Sequence, residues 1–520
     1  MSINTVTESL PGTEQKPGTE PRSGPYWLAL ALFAGYATVS VSRHLNLKTH
    51  AYDLGIFAQA VRAYAELRAP VVPVKGPGFN LLGDHFHPIL MLIAPVYRVF
   101  PSPVTLLIVQ AALLALSVVP VTELAARIAG RRPGAEVGVA YGLSWGLQNA
   151  VGFDFHEVCI AVPLLAYSLK ALAEQRWKPA VWWALPLLAV KEDLPLTLAA
   201  IGVYLMARRQ RRLGAAVVVA AAAAGCLIVL VLIPALNPAH VYPYGDTAAV
   251  GGGSPLARLL TPEVKTHTLL MVLVPTVFLA VRSPLLLLAV PILGWRFWST
   301  NTHYWGTGYH YSAVLMPIVF IAFGSALGSL HASRIRSAQR LAAAAPALAV
   351  VVAVALLPAL PLWQLAQPAT YRVSAEATAV RDVLRVIPVG ATVAATNGLV
   401  PALTADRTVY LFPAYPDESV RPDWVALTDP PDTSMTSLED MRARTGALSA
   451  RGYTEVTRRA GVVLYRLPSA AGPGHRYCQT APSVSRLGQA WARSSRMSKR
   501  RGEIRPGSGV AGRPAGFFTG

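Results

Sequence analysis

Asp53, Asp84, His85 and His87 share one polar interval, from His50 to Pro88, directly after the first apolar run, Tyr26 to Ser42. Acidic groups and imidazoles gathered where a chain leaves a membrane mark a functional site by default. Asp53 stands in YDLGIFAQAV, where Leu54, Phe57, Ala58 and Val61 recur at helical spacing. That pattern predicts an amphipathic helix lying along the membrane, with Asp53 in its first turn. A carboxylate there can accept a proton from a hydroxyl or bind a cation. It can also simply cap the helix. In Asp84-His85-Phe86-His87-Pro88 the two imidazoles share a face of an extended segment. They suit hydrogen bonds to a substrate, structural packing, or a divalent cation held with Asp53 and Asp84, for which no further ligand is evident.

Three other clusters carry chemistry. Asp154, His156 and Glu157 lie at a loop–helix junction, where Glu157 also suits the positive end of a helix dipole. Lys191, Glu192 and Asp193 sit between two short apolar runs. Three charges there are costly unless they face a cavity or one another. Lys191 can hold a lipid-linked phosphate, or close a hairpin by pairing with a carboxylate. His303, Tyr304 and His310 belong to STNTHYWGTGYHY, an aromatic loop suited either to a membrane interface or to stacking on sugar rings. Arg296, at the end of the preceding run, can reach the same face and hold an anion.

The elements that must position these groups are mostly membrane spans. Of 520 residues 53% are hydrophobic and 14% charged, with a mean hydropathy of +0.41. A soluble chain would carry about 25% charged residues. The fold class expected is an α-helical polytopic membrane protein. Candidate spans are 25–43, 103–127, 134–151, 156–173, 178–190, 193–207, 213–236, 264–281, 283–297, 309–330 and 341–365. Residues 88–100 are apolar but too short to cross and read as a re-entrant or interfacial segment. That makes eleven crossings; a twelfth through 88–100 would put the basic GRRPG loop on the wrong side.

The net charge of +19 is no nucleic-acid footprint, because the arginines sit in short loops and in the tail. Arg208–Arg212 should face the cytoplasm, with the loops around residues 127–132 and 334–340. The N-terminus then lies inside and the C-terminus outside. Loop 44–87 and the other polar loops share the outer face. No cleavage site follows the first span, which reads as a retained anchor. The three cysteines have no metal or disulfide spacing.

The domain organisation expected is a disordered N-terminus over 1–24, a transmembrane domain over 25–366, a small extracytoplasmic α/β domain over 367–470 and a disordered basic tail over 471–520. Within the α/β domain, 376–387 and 437–450 read as helices, and ATVAATN, RTVYLF, DWVAL and GVVLYRL as strands.

No phosphate-binding loop, dinucleotide fingerprint, HExxH or GxSxG is present, so ATP-driven transport and α/β-hydrolase chemistry have no support. YDLGIFAQAV, GDHFHPIL with APVYRVFPSP, FDFHE and KEDLPLT together resemble the polytopic prokaryotic membrane proteins catalogued as domain of unknown function 2079. The similarity runs over about residues 25–470. That family in turn looks like the GT-C superfamily of integral-membrane glycosyltransferases, which take a sugar from a polyprenyl-phosphate donor at the outer face. The resemblance puts Asp53 at the position of their acidic base or metal ligand. It puts Asp84 with His87-Pro88 at the second acidic/His-Pro element. A WWDYG-type acceptor motif is absent.

Two function classes follow. In the first, a lipid-linked glycosyltransferase, Asp53, Asp84 and His87 are catalytic. His85, Asp154, His156, Glu157, Glu192, Asp193, His303, Tyr304 and His310 bind substrate, and Lys191 or Arg296 neutralises the phosphate. Its partners are membrane lipid and the polyprenyl-phosphate sugar donor, and its one candidate cofactor is a divalent cation. In the second, the same cavity serves a non-catalytic binder or transporter of a lipid or polyol.

Overall fold

A computed structural model describes residues 23–245 and 254–468. The expected basic tail lies outside the described residues, as does the N-terminal stretch apart from Ser23 and Gly24. Among the described residues four helices are long and apolar enough to cross a membrane: Gly24–Leu45, Pro103–Ala129, Arg211–Leu236 and Arg336–Ala359. Shorter apolar helices fill out the bundle, among them Val158–Ala173, Leu194–Ala207 and Leu315–His331. The expected eleven continuous spans are therefore not seen as such.

Proline and local backbone explain much of the difference. The run at 178–190 is a helix, Trp177–Ala184, that tightens into a 3₁₀ segment, Leu185–Ala189, at Pro186. The run at 264–281 stops being helical at Val277 and Phe278, both left-handed, just after Pro275. The run at 283–297 begins as a 3₁₀ segment, Pro284–Ala289, before the Val290–Trp298 helix. A proline cannot donate to the preceding turn, so each such junction loses helical bonds. Residues 309–314, expected to open a span, instead form turns ahead of the Leu315–His331 helix.

Residues 88–100 form a six-residue 3₁₀ segment, Pro88–Ile93, and a six-residue helix, Ala94–Val99. Together they reach about 20 Å, short of a bilayer core of about 30 Å. Elsewhere small residues let helices meet. Leu194–Ala207 and Arg211–Leu227 are joined by the arginine-rich turn and cross where Gly202 faces Gly214. A Cβ on Gly214 would stand 2.5 Å from the Gly202 carbonyl oxygen. Such close backbone approach replaces the hydrophobic drive that lipid cannot supply.

The C-terminal part forms a five-stranded sheet of order β2-β1-β3-β5-β4. The strands are β1 (Thr392–Ala395), β2 (Thr408–Leu411), β3 (Trp424–Thr428), β4 (Thr454–Arg459) and β5 (Val462–Arg466). β2, β1 and β3 run parallel, and β5 and β4 add antiparallel. Side chains alternate as a strand requires. Val393 and Ala395 join the core shared with the helical bundle, whereas Ala394 packs with Val425 and Tyr453 on the other face. Strand β4 escapes the sequence reading because TEVTRR is an exposed edge without apolar alternation. Charged side chains protect such an edge from pairing with another chain.

Candidate functional site

Asp53 lies in a π-helical turn, Ala51–Gly55, that leads into the helix Ile56–Ala65. Single π turns recur at functional positions because they re-aim a side chain. The helix does not lie on a lipid surface. Almost all of it is buried, including Gln59 and Tyr64, because the C-terminal sheet covers the side away from the bundle. The lipid-facing surface expected for this amphipathic helix is therefore covered by protein.

The Asp53 carboxylate faces His156, with Nε2 3.0 Å from Oδ1. His156 comes from the loop after the Trp145–Gly152 helix, where Asp154 adopts a left-handed backbone, φ 52°. Gln110, buried within the Pro103–Leu116 helix, holds that loop. Its Nε2 donates to the Asp154 carbonyl at 2.5 Å, and its Oε1 accepts the His156 N–H at 3.0 Å. The buried Asp154 carboxylate accepts the His50 N–H at 2.6 Å. The His156 ring stacks on His310, with centroids 3.4 Å apart, and meets Phe57 edge-on.

A chain of charged pairs continues from there. Glu157 precedes the Val158–Ala173 helix and pairs with Lys191 at 2.8 Å. Burial alone would raise the Glu157 carboxyl, but the Lys191 ammonium outweighs it and holds the group at about 2. Burial likewise opposes the charge on Lys191, yet Glu157, Asp193 and Glu192 keep it protonated. Glu192 accepts from His85 at 2.5 Å and from the Phe86 N–H at 3.2 Å. Burial disfavours the His85 cation, and the Glu192 carboxylate overrides that, so its pKa is raised. Asp84 is taken up by the Lys75 ammonium and by Tyr244, whose hydroxyl donates at 3.0 Å. Against its burial these neighbours hold Asp84 at about 2. The Tyr244 ring stacks on His85 at 4.5 Å.

Hydrogen-bonding capacity is left over in this cluster. His87 Nδ1, His156 Nδ1, both ring nitrogens of His310, Asp154 Oδ1 and Asp193 Oδ1 make no hydrogen bond among the described residues. Burial pushes His87 down to about 4 and His310 well below its ordinary value, so both are neutral at pH 7. Burial raises Asp193 to about 6.

Two expected positions have other tasks. Arg296 is fully buried, and its guanidinium donates to the carbonyls of Tyr304, Gly306 and Tyr311 at 2.9, 3.0 and 3.3 Å, and to Ser312 Oγ at 3.1 Å. It shapes the 299–312 loop, which engages four of its five N–H donors. His303 sits at the surface against the Tyr309 hydroxyl, 3.1 Å away. Tyr304 is half-buried against Trp295, and His310 alone of the three stacks within the Asp53 cluster.

The cation set expected on Asp53, Asp84 and His87 is also regrouped. Among the described residues His50, Asp53 and Asp154 offer ligand atoms within 4.8 Å of one another. One imidazole nitrogen and two carboxylate oxygens, with Asp154 Oδ1 free of hydrogen bonds, fit a divalent cation. Both Asp84 oxygens are already engaged.

The family described as "Predicted membrane protein (DUF2079)" matches residues 43–464. The chain belongs to that family. Every residue of the Asp53 cluster lies within the match, and the membrane location follows from it. Among solved structures the chain is similar to ArnT from Cupriavidus metallidurans bound to undecaprenyl phosphate, with a TM-score of 0.55 and 12% identity. That alignment covers 87% of this chain and 100% of the other. The apo state of the same protein gives 0.49 at 14% identity, with the same coverage. The likeness to the lipid-bound structure supports the GT-C-like fold. No curated protein sequence matches the chain.

Gln110, Lys75, Tyr244 and Asn237 were not singled out in the sequence. Asn237 donates to the Gly83 carbonyl at 2.7 Å, beside Asp84. A lone glutamine inside an apolar run was the one available signal, since uncharged polar groups within spans usually bond backbone.

Proposed function

We propose that this family member is an integral-membrane glycosyltransferase that takes a sugar from a polyprenyl-phosphate donor at the extracytoplasmic face. The observation that carries the reading is the Asp53–His156 contact at the hub of a buried cluster with spare hydrogen-bonding atoms. The fold it shares with a protein crystallised with undecaprenyl phosphate supports the donor class.

Asp53 takes the proton from an acceptor hydroxyl as that oxygen attacks the anomeric carbon. The bond from that carbon to the phosphate oxygen breaks, and its electron pair leaves with the polyprenyl phosphate. His156 orients the Asp53 carboxylate through Nε2. Lys191 is held in place by Glu157 and turns its remaining N–H donors toward the phosphate, where negative charge develops. His87 and His310 are neutral and offer hydrogen bonds to sugar hydroxyls. Asp84 and Glu192 fix Lys75 and His85 instead of reacting themselves. A divalent cation, were it bound, would be held by His50, Asp53 and Asp154 and would supply positive charge to the site.

In this reading loop 44–87 and the C-terminal sheet are extracytoplasmic and Arg208–Arg212 cytoplasmic. Impermeant thiol labelling of cells checks it: a cysteine replacing Asp423 should react and one replacing Gln210 should not.

Turnover by purified protein on a panel of polyprenyl-phosphate sugars, with and without a chelator, tests the activity. Transfer from at least one donor is expected. Tight lipid or polyol binding with no transfer from any donor would favour the binder or transporter instead.

A further inference from the structure

We infer that Asn397, in the turn after β1, is a positioning residue for Asp53. The first turn of a helix leaves N–H groups without partners, and side chains normally cap them. His50, at the cap position of the Ala51–Gly55 turn, provides no side-chain cap. The cap arrives from 346 positions away: Asn397 Oδ1 accepts the Ala51 N–H at 2.9 Å. Asn397 is itself buried and anchored, its Nδ2 donating to Ser434 Oγ at 3.0 Å.

The contact is one of a row. Residues 51, 55, 59 and 62 recur at helical spacing and share one face. All four meet the segment 397–409. A Cβ on Gly55 would stand 2.8 Å from Val400 Cγ1, so the turn rests directly on that side chain. Gln59 Nε2 donates to the Val409 carbonyl at 2.8 Å. Arg62 Nη1 donates to the Arg407 carbonyl at 2.9 Å and more weakly to that of Thr404, at 3.4 Å. Asp53 and Phe57, four residues apart, form a second face that meets His156. The segment after β1 thus acts as a jig. It sets the height of the turn, and with it where the Asp53 carboxylate stands relative to His156.

The inference rests on the proposed role of Asp53 for its catalytic meaning, but its geometry is tested without turnover. The Asp53 side chain is 16% exposed, so in full-length protein with Cys226→Ser and Cys478→Ser an Asp53→Cys thiol that keeps its position is largely shielded. Its rate of modification by an impermeant methanethiosulfonate reagent reports that position. Adding Asn397→Leu removes the cap at nearly constant volume and should speed labelling at least about threefold, the scale of a lost cap. Asn397→Asp keeps an acceptor toward Ala51 and should restore most of the slow rate. Ser434→Ala should change it little. Should Asn397→Leu fail to fold, Gly55→Ala is the second probe: it should speed labelling by pushing the turn off Val400, and Val400→Ala should reverse that. Unchanged labelling in a folded Asn397→Leu protein, or no reversal by Val400→Ala, overturns the inference. With Asp53 intact, Asn397→Leu should also lower transfer about tenfold with the donor KM unchanged. Altered labelling in a protein that transfers no sugar would spare the positioning role and reject the glycosyltransferase.

Discussion

The Val158–Ala173 helix has ion pairs at both ends, about 24 Å apart, and they differ in kind. At its C-terminal end Lys170 meets Glu123 and Glu174, and Arg127 and Arg176 close on Glu174 at 3.0 and 3.5 Å. The arginines are more than half exposed. Basic groups outnumber acidic ones, and the cluster ties helix to helix. At its N-terminal end Glu157, Lys191, Glu192 and His85 are mostly buried. Acidic groups are in excess, and Asp154, Asp193 and three imidazoles keep atoms without hydrogen bonds among the described residues, whereas at the other end the buried oxygens that lack them, both of Glu174, each face an arginine. Pairing of charges is therefore no mark of a site by itself. A buried cluster that keeps donors and acceptors in reserve is one, because leaving them unmet costs free energy that a ligand can recover.

The contrast can be broken by mutation. Lys191→Met strands the Glu157 carboxylate in a buried setting. It should cost about 3–5 kcal/mol in unfolding experiments, and adding Glu157→Gln should recover much of that. A loss below about 1 kcal/mol would equate the two ends.

Asp193 sharpens it through pH. Its folded pKa of about 6 lies above the unfolded value, so its contribution is present below about pH 4 and lost as pH rises through 6. Asp193→Asn should therefore stabilise the protein at pH 8, by up to about 3 kcal/mol, and the gain should vanish near pH 4. Melting curves at the two pH values check the sign; an equal gain at both would dismiss the shift.

At the other end Arg127→Ala should cost no more than about 1 kcal/mol, since its guanidinium is more than half exposed and Lys170 and Arg176 still face the buried Glu174. A larger loss would mean that this cluster too is held in a dry setting.

The comparison also shows what a sequence can disclose. Apolar runs broken by arginine turns announce a membrane protein, and β-branched runs such as RTVYLF announce strands. Asp53, Glu157 and Lys191 stand out because charge at the end of an apolar run needs a reason. Their partners do not stand out. Asp53 meets His156, and His85 meets Glu192, across more than a hundred positions, through contacts that no local periodicity encodes. Arg296 looked like an anion ligand because a span-end arginine can be one; its loop's carbonyls claim it instead. The π turn was hidden for a similar reason, since its caps, Asp154 and Asn397, lie elsewhere in the chain. The expected eleven spans are not matched by continuous helices where proline divides an apolar run into short ones.

Asp53→Asn keeps the shape of the side chain and removes its charge and basicity. Transfer from a polyprenyl-phosphate sugar should fall at least about 100-fold, with donor binding and thermal stability nearly unchanged. Transfer at the wild-type rate by a folded Asp53→Asn protein would contradict the account.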